Sequence, residues 1–294
     1  FSKGQPVVVT KVDLPGPWSP SSFIRLYGSD TVKLVDTETD DEFESTLSDF
    51  FSGFGASEPR ARSLKLKDWP PTEHLKTRYG QHYDSFKLAV PFPDLTRPDG
   101  VLNLAAHFPD NMISPDLGPK LYSAYGTVDD GSHHGSTRLH KDVTDAVNVM
   151  THASVSSCGA LNGARWVIFD RNDAQALSNL LRVSPRFGYK GPGDPIHSQN
   201  IYLTPEDLQF LRDVHHITPY VFTQQPGDAV FIPAGSPHQV CNFSDSIKVA
   251  YDFICMENLP TTLDLAREYR QERLVNEGDD VLQIYKTLWD AWLC

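Results

Sequence analysis

Between Lys120 and Phe253 the chain is cut into short apolar runs by turns rich in Pro, Gly, Asn and Asp, and this pattern limits its fold most. Lys120–Tyr125, Ser136–Asp142, Ala146–His152, Arg165–Phe169, Tyr220–Thr223, Ala229–Ile232, His238–Phe243 and Lys248–Phe253 all have strand length and β-branched or aromatic character. Many short strands with turn signals between them predict a barrel or sandwich. Two helices interrupt the series. One is expected over Asp173–Leu181. The other starts at Thr204-Pro205-Glu206-Asp207, where a capping residue precedes a proline at the first helical position.

The remaining segments are mixed. Pro6–Lys11 and Thr31–Val35 read as strands, and Ser19 as the cap of a helix over Pro20–Tyr27. Phe43, Leu47, Phe50, Phe51 and Phe54 recur at helical spacing, which predicts a helix over Glu42–Phe54 with its aromatics in the core. Asp68-Trp69-Pro70-Pro71 reads as a turn, because prolines lack backbone donors. Helices are expected again over Thr261–Leu274 and Asp279–Leu293. No linker splits the chain. Residues 1–294 are therefore expected to form one domain: a mixed N-terminal part (1–115), a β core (116–256) with a helical insert (about 171–215), and C-terminal helices (257–294).

Composition narrows the partners. The net charge of −12 argues against direct DNA binding by this segment and suits a basic partner such as a Lys/Arg-rich tail. The acidic stretch Asp36–Glu42 is read as a solvated loop. No apolar run reaches the roughly 18 residues that a membrane span needs. The chain begins at Phe1 and is taken as part of a longer protein. Cys158, Cys241, Cys255 and Cys294 form no C-x-x-C pair and are expected to be buried thiols in a reducing compartment.

Three features point to chemistry. In His140-Lys141-Asp142, strand alternation sends the imidazole and the carboxylate to one face and Lys141 to the other. One histidine and one carboxylate are two members of a facial triad for Fe(II). Ninety-six residues past Asp142, a Pro226-Gly227-Asp228 turn, an apolar strand and a Pro233–Pro237 turn deliver His238 to a strand end, where a third ligand can join them. Lys248 stands in a largely apolar strand, either snorkelling at a sheet edge or neutralising a buried anion. Thr137 reaches the face of His140 only if a bulge or twist intervenes, and Asn148 in the next strand needs partners for its amide. His133, His134, His215 and His216 are read as surface residues, His152 as a core histidine, and Tyr122 and Tyr125 as core or pocket wall.

The blocks Gly135–Met150 (GSTRLHKDVTDAVNVM) and Gly227–Phe253, supported by Phe1–Val12, Leu64–Pro71, Asn103–Ala106, Pro115–Gly126 and Asp194–His197, resemble the jumonji-C catalytic domain, in particular its histone lysine-9 demethylase branch. The resemblance implies a mainly β fold with added helices, a double-stranded β-helix of jelly-roll, cupin-like type. It implies Fe(II) held by His140, Asp142 and His238, with 2-oxoglutarate and O2 as co-substrates. Thr137 and Lys248 would bind the far carboxylate of 2-oxoglutarate, with Asn148 assisting. Many members place their lysine on the strand after the H-x-D pair, where this chain has Ser157, so the anchor is expected to be Lys248. The implied activity is removal of methyl groups from mono- or dimethylated lysine 9 of histone tails in the nucleus, with release of formaldehyde. The alternatives are a jumonji-C hydroxylase of protein side chains and a catalytically silent cupin-like module that binds a chromatin partner.

Overall fold

Strict two-residue alternation organises the molecule. On Ser246–Phe253, residues Ile247, Val249, Tyr251 and Phe253 are buried in the main core, while Lys248, Ala250 and Asp252 face a cavity on the opposite side. On Asp145–Ala153, Val147 and Val149 join that core and Ala146 and Asn148 face the cavity. Period-two patterning of this kind can only be satisfied by a sheet with one filled face. Each fully buried Val, Ile or Phe of the filled face contributes on the order of 1.5–3 kcal/mol.

The computed structural model describes residues 1–56, 60–71, 73–108, 117–127, 135–155, 163–276 and 283–293. His133, His134, Ser157, Cys158 and Cys294 lie outside these residues. Among the described residues the strands are β1 (Val7–Val9), β2 (Thr31–Asp36), β3 (Glu42–Thr46), β4 (Leu64–Trp69), β5 (Lys120–Ala124), β6 (Thr137–His140), β7 (Asp145–Ala153), β8 (Ala164–Ile168), β9 (Tyr220–Gln224), β10 (Ala229–Ile232), β11 (His238–Asn242) and β12 (Ser246–Phe253). The larger sheet has the order β1-β10-β7-β12-β5-β4-β2-β3, and the smaller one β6-β11-β8-β9. All pairings are antiparallel. Two facing antiparallel sheets with a cavity between them form a jelly-roll, cupin-like fold.

Helices cover the sheets where the strands present apolar residues outward. Ala174–Val183 and Pro205–His215 pack Leu177, Leu181, Leu208 and Leu211 on Leu139, Val167 and Phe169 of the small-sheet side. Thr204 caps the second of these with a full capping box. The helix Leu259–Asn276 brings Leu265 and Ala266 against Val143 and Ala234, and Ile284 of the last helix, Ile284–Leu293, joins the same cluster. No helix among the described residues is long and apolar enough to cross a membrane.

Two sequence expectations are corrected. Glu42–Phe54 is not one helix: β3 pairs with β2 in a hairpin, and a helix begins only at Leu47, capped by Thr46 accepting from Asp49 N. Hydrogen bonds to β2 outweigh the helical spacing of the aromatics, and Phe50 and Phe51 are buried all the same. Asp68 and Trp69 end strand β4 instead of forming the turn, which starts at Pro70.

Candidate metal centre

His140 is the last residue of β6, and Asp142 follows in the connection to β7. His238 opens β11, directly opposite His140 in the antiparallel register. The tight turn before it is pinned to the first ligand pair. Gly235 N donates to Asp142 O at 2.9 Å, and Ala234 N donates to the buried Asp145 Oδ1 at 2.9 Å. Gly235 has φ +78, a conformation that side chains rarely adopt, so the turn requires glycine there. This turn gives His238 its place beside two residues almost a hundred positions earlier.

One donor atom from each of His140, Asp142 and His238 lies within 4.8 Å of the others. His140 Nε2 is 3.9 Å from Asp142 Oδ1, and His238 Nε2 is 3.7 Å from Asp142 Oδ2. The opposite ring nitrogens are both engaged: His140 Nδ1 with Arg138 O at 2.8 Å and His238 Nδ1 with Ser236 O at 3.0 Å. A carbonyl can only accept, so each Nδ1 carries a hydrogen, and each Nε2 is the nitrogen that faces the carboxylate. Burial, and then the neighbouring His238, push the His140 pKa down to about 4, so the ring is neutral at pH 7. Two imidazoles and one carboxylate, converging with Nε2 of each ring inward, form a donor set that suits Fe(II) and other divalent metals. Trp166 stacks on His238 with ring centres 5.8 Å apart and fixes its plane.

The strand expected over Ser136–Asp142 ends at His140, so Lys141 and Asp142 lie in the connection, where Lys141 turns away from the cavity. Its buried amine donates to Glu268 Oε1 at 2.6 Å, where His197 Nε2 also bonds at 3.0 Å, and Tyr269 OH donates to Lys141 O. Burial alone would raise the Glu268 pKa, but the bonds from His197 and Lys141 hold it near 2. The helix Leu259–Asn276 thus clamps the metal-ligand segment from behind.

The cavity is about 150 Å³ and runs between the sheets from the triad to Lys248. Thr137, Asn148 and Lys248 line it. The pairing of β6 with β11 shifts by one residue between His238 and Val240, and this irregularity supplies the bulge that puts Thr137 and His140 on one cavity. Lys248 Nζ donates to Asn242 Oδ1 at 2.7 Å. Burial and then repulsion from Lys65 push its pKa down to about 7. Gln224, wholly buried, accepts from Trp166 Nε1 at 2.9 Å and donates to Asn148 O at 3.0 Å, tying the ring behind His238 to the strand that carries Asn148.

The sequence reading missed Lys65, Trp166, Asn242 and Asp252, all on the cavity wall. A signal existed for Lys65, since Leu64-Lys65-Leu66 places a cation in an alternating strand as Lys248 is placed. Trp166 and Asn242 carry no local signal. Tyr122 is pocket wall, Tyr125 packs in the core on Phe50, and His152, half-buried on Phe54, is absent from the cavity lining. His215 and His216 are exposed at a helix end, and Cys241 and Cys255 are buried thiols.

Residues 130–253 match the family described as JmjC domain, hydroxylase. The chain carries a JmjC domain. Over 99% of its length it is 33% identical to lysine-specific demethylase 3A of Homo sapiens and to lysine-specific demethylase 3A-A of Xenopus laevis, covering 25% of each. Over 92% of its length it is 33% identical to lysine-specific demethylase JMJ29 of Arabidopsis thaliana, covering 39% of that protein. The chain therefore spans a quarter to two fifths of the length of these relatives. The JmjC match contains all three residues of the triad, together with Thr137, Asn148 and Lys248.

Proposed function

We propose that this chain is the catalytic part of an Fe(II)- and 2-oxoglutarate-dependent demethylase acting on mono- or dimethylated lysine 9 of histone tails in the nucleus. The convergence of His140, Asp142 and His238 at one end of a cavity that also holds Lys248 carries this reading, and the demethylase names of its relatives support it. His140, Asp142 and His238 would hold the metal. Thr137, Lys248 and Asn148 would bind 2-oxoglutarate. With its co-substrates, Fe(II) supplies hydroxylation of an N-methyl group, which then leaves as formaldehyde. We take residues 1–294 to act as one catalytic domain.

The protein's own contribution is orientation and charge. Lys248 neutralises an anionic end of the co-substrate deep in the cavity, and the triad meets its other end. Asp252 and Tyr122, whose OH donates to Asp68 Oδ1 at 2.6 Å, line the same cavity and give it an acidic side suited to a methylated ammonium. The net charge of −12 draws a basic tail toward it.

The experiment is a panel of methylated histone-tail peptides incubated with Fe(II), 2-oxoglutarate and ascorbate, read by mass spectrometry. Loss of methyl from lysine-9 peptides is expected. Oxygen retained on the peptide would mean a hydroxylase instead, and absence of both products and of succinate would leave a binding module.

A pH dependence follows from Lys248. Only its ammonium attracts a carboxylate, and in the unliganded cavity that proton is lost above about pH 7. Binding therefore takes up a proton, and 2-oxoglutarate affinity is expected to fall by up to about tenfold per pH unit above that point. Calorimetric titration between pH 6.5 and about 8.5 checks this, and an affinity that rises with pH would contradict it.

A further inference from the structure

Lys65 enters the cavity from β4 of the larger sheet. Its Nζ crosses to the small sheet, donating to Ser136 O at 2.8 Å and Thr137 Oγ1 at 2.6 Å. Lys248 approaches the same cavity from β12. Neither ammonium has a carboxylate partner among the described residues. Lys65 is close enough to Lys248 to disfavour its charged form, and burial lowers the pKa of Lys65 itself to about 8. Asp68 attracts Lys65, but Lys65 and Lys248 still repel each other across one small cavity, and an anion seated between them would relieve that repulsion. The hydrogen-bond polarity is also informative. A threonine hydroxyl that accepts from an ammonium keeps its single hydrogen for another acceptor, which aims Thr137 as a donor.

We propose that Lys65 is a co-substrate-binding residue. Together with Lys248 and the hydroxyl of Thr137 it receives the far carboxylate of 2-oxoglutarate, and it makes the cavity select a dicarboxylate over a 2-oxo acid with a single carboxylate. This rests on the co-substrate reading above. It gives Thr137 a reason for its place on the bulge, since Lys65 orients the hydroxyl that the ligand then uses. The competing role for Lys65 is structural, a tie between β4 and the bulged β6.

The test is calorimetric titration of the full 294-residue chain, loaded with Mn(II), with 2-oxoglutarate and separately with 2-oxobutyrate, which lacks the far carboxylate. Lys65→Met is expected to weaken 2-oxoglutarate roughly 10- to 100-fold, the size of a lost charge-assisted hydrogen bond, and to leave 2-oxobutyrate and Mn(II) affinities unchanged. Lys65→Gln, a neutral donor, should lie between wild type and Lys65→Met. Equal loss for both ligands, or no loss for either, would overturn the inference in favour of the structural tie. So would failure of both variants to fold, judged by circular dichroism. Wild-type chain that binds Mn(II) but not 2-oxoglutarate would overturn the co-substrate reading itself, and this inference with it.

Discussion

Replacing His238 by alanine is expected to abolish formaldehyde release and to weaken Fe(II) binding by more than about 100-fold, because even groups behind a metal ligand cost roughly 10–100-fold when removed. His238 is almost wholly buried, with its Nδ1 hydrogen on Ser236 O and its face on Trp166, so the ring has one orientation and one available lone pair. Alanine leaves His140 and Asp142 alone, which is too few donors to hold the metal against a chelator. The change also leaves a hole of imidazole size, so thermal stability should drop modestly. Metal content after dialysis against a weak chelator, with circular dichroism alongside, checks both effects. Stoichiometric metal retained by a folded His238→Ala chain would remove His238 from the centre. Ser236→Ala is the matching control, since the acceptor is a backbone carbonyl and survives the substitution.

Asp145→Ala should produce the largest loss of stability among the residues near the centre, about 3–5 kcal/mol. Asp145 is fully buried and ties three segments together. Oδ1 accepts from Ala234 N at 2.9 Å and Asn258 Nδ2 at 2.7 Å, and Oδ2 accepts from Cys255 N at 3.3 Å. Without the carboxylate, these buried donors have lost an acceptor that water cannot replace. One of them belongs to the Pro233–Pro237 turn that delivers His238, so metal affinity should fall together with stability. Urea unfolding followed by tryptophan fluorescence measures the first effect and chelator competition the second. A loss below about 1 kcal/mol, within the range of an ordinary surface substitution, would show that the turn stands without Asp145.

Legibility differed between residues for identifiable reasons. Lys248 in its apolar strand was read directly, and the same local period of two, which the reading did not extend to Asp252, sets the buried and cavity faces of β12. The caps at Thr204 and Ser19 were legible for the same reason, while the reciprocal bond from Asp207 that completes the box at Thr204 was not read. Glu42–Thr46 was misread because a strand partner, β2, decides what the aromatic spacing alone leaves ambiguous. Trp166 and Gln224 were invisible. Their contribution is a hydrogen bond and a stacking contact between β8, β9 and β11, and no spacing in the chain encodes that meeting.

By itself, the sequence determined that this chain builds many short strands, that His140 and Asp142 can face one side together, and that a Pro/Gly turn precedes His238. These follow from backbone sterics and side-chain periodicity, which act over a few residues. Only the tertiary structure decided that His238 stands opposite His140, that a bulge turns Thr137 into the same cavity, and that Lys65 crosses from one sheet to meet it. Those outcomes depend on which strands pair and in what register, and a shift of one residue would turn every one of these side chains to the opposite face.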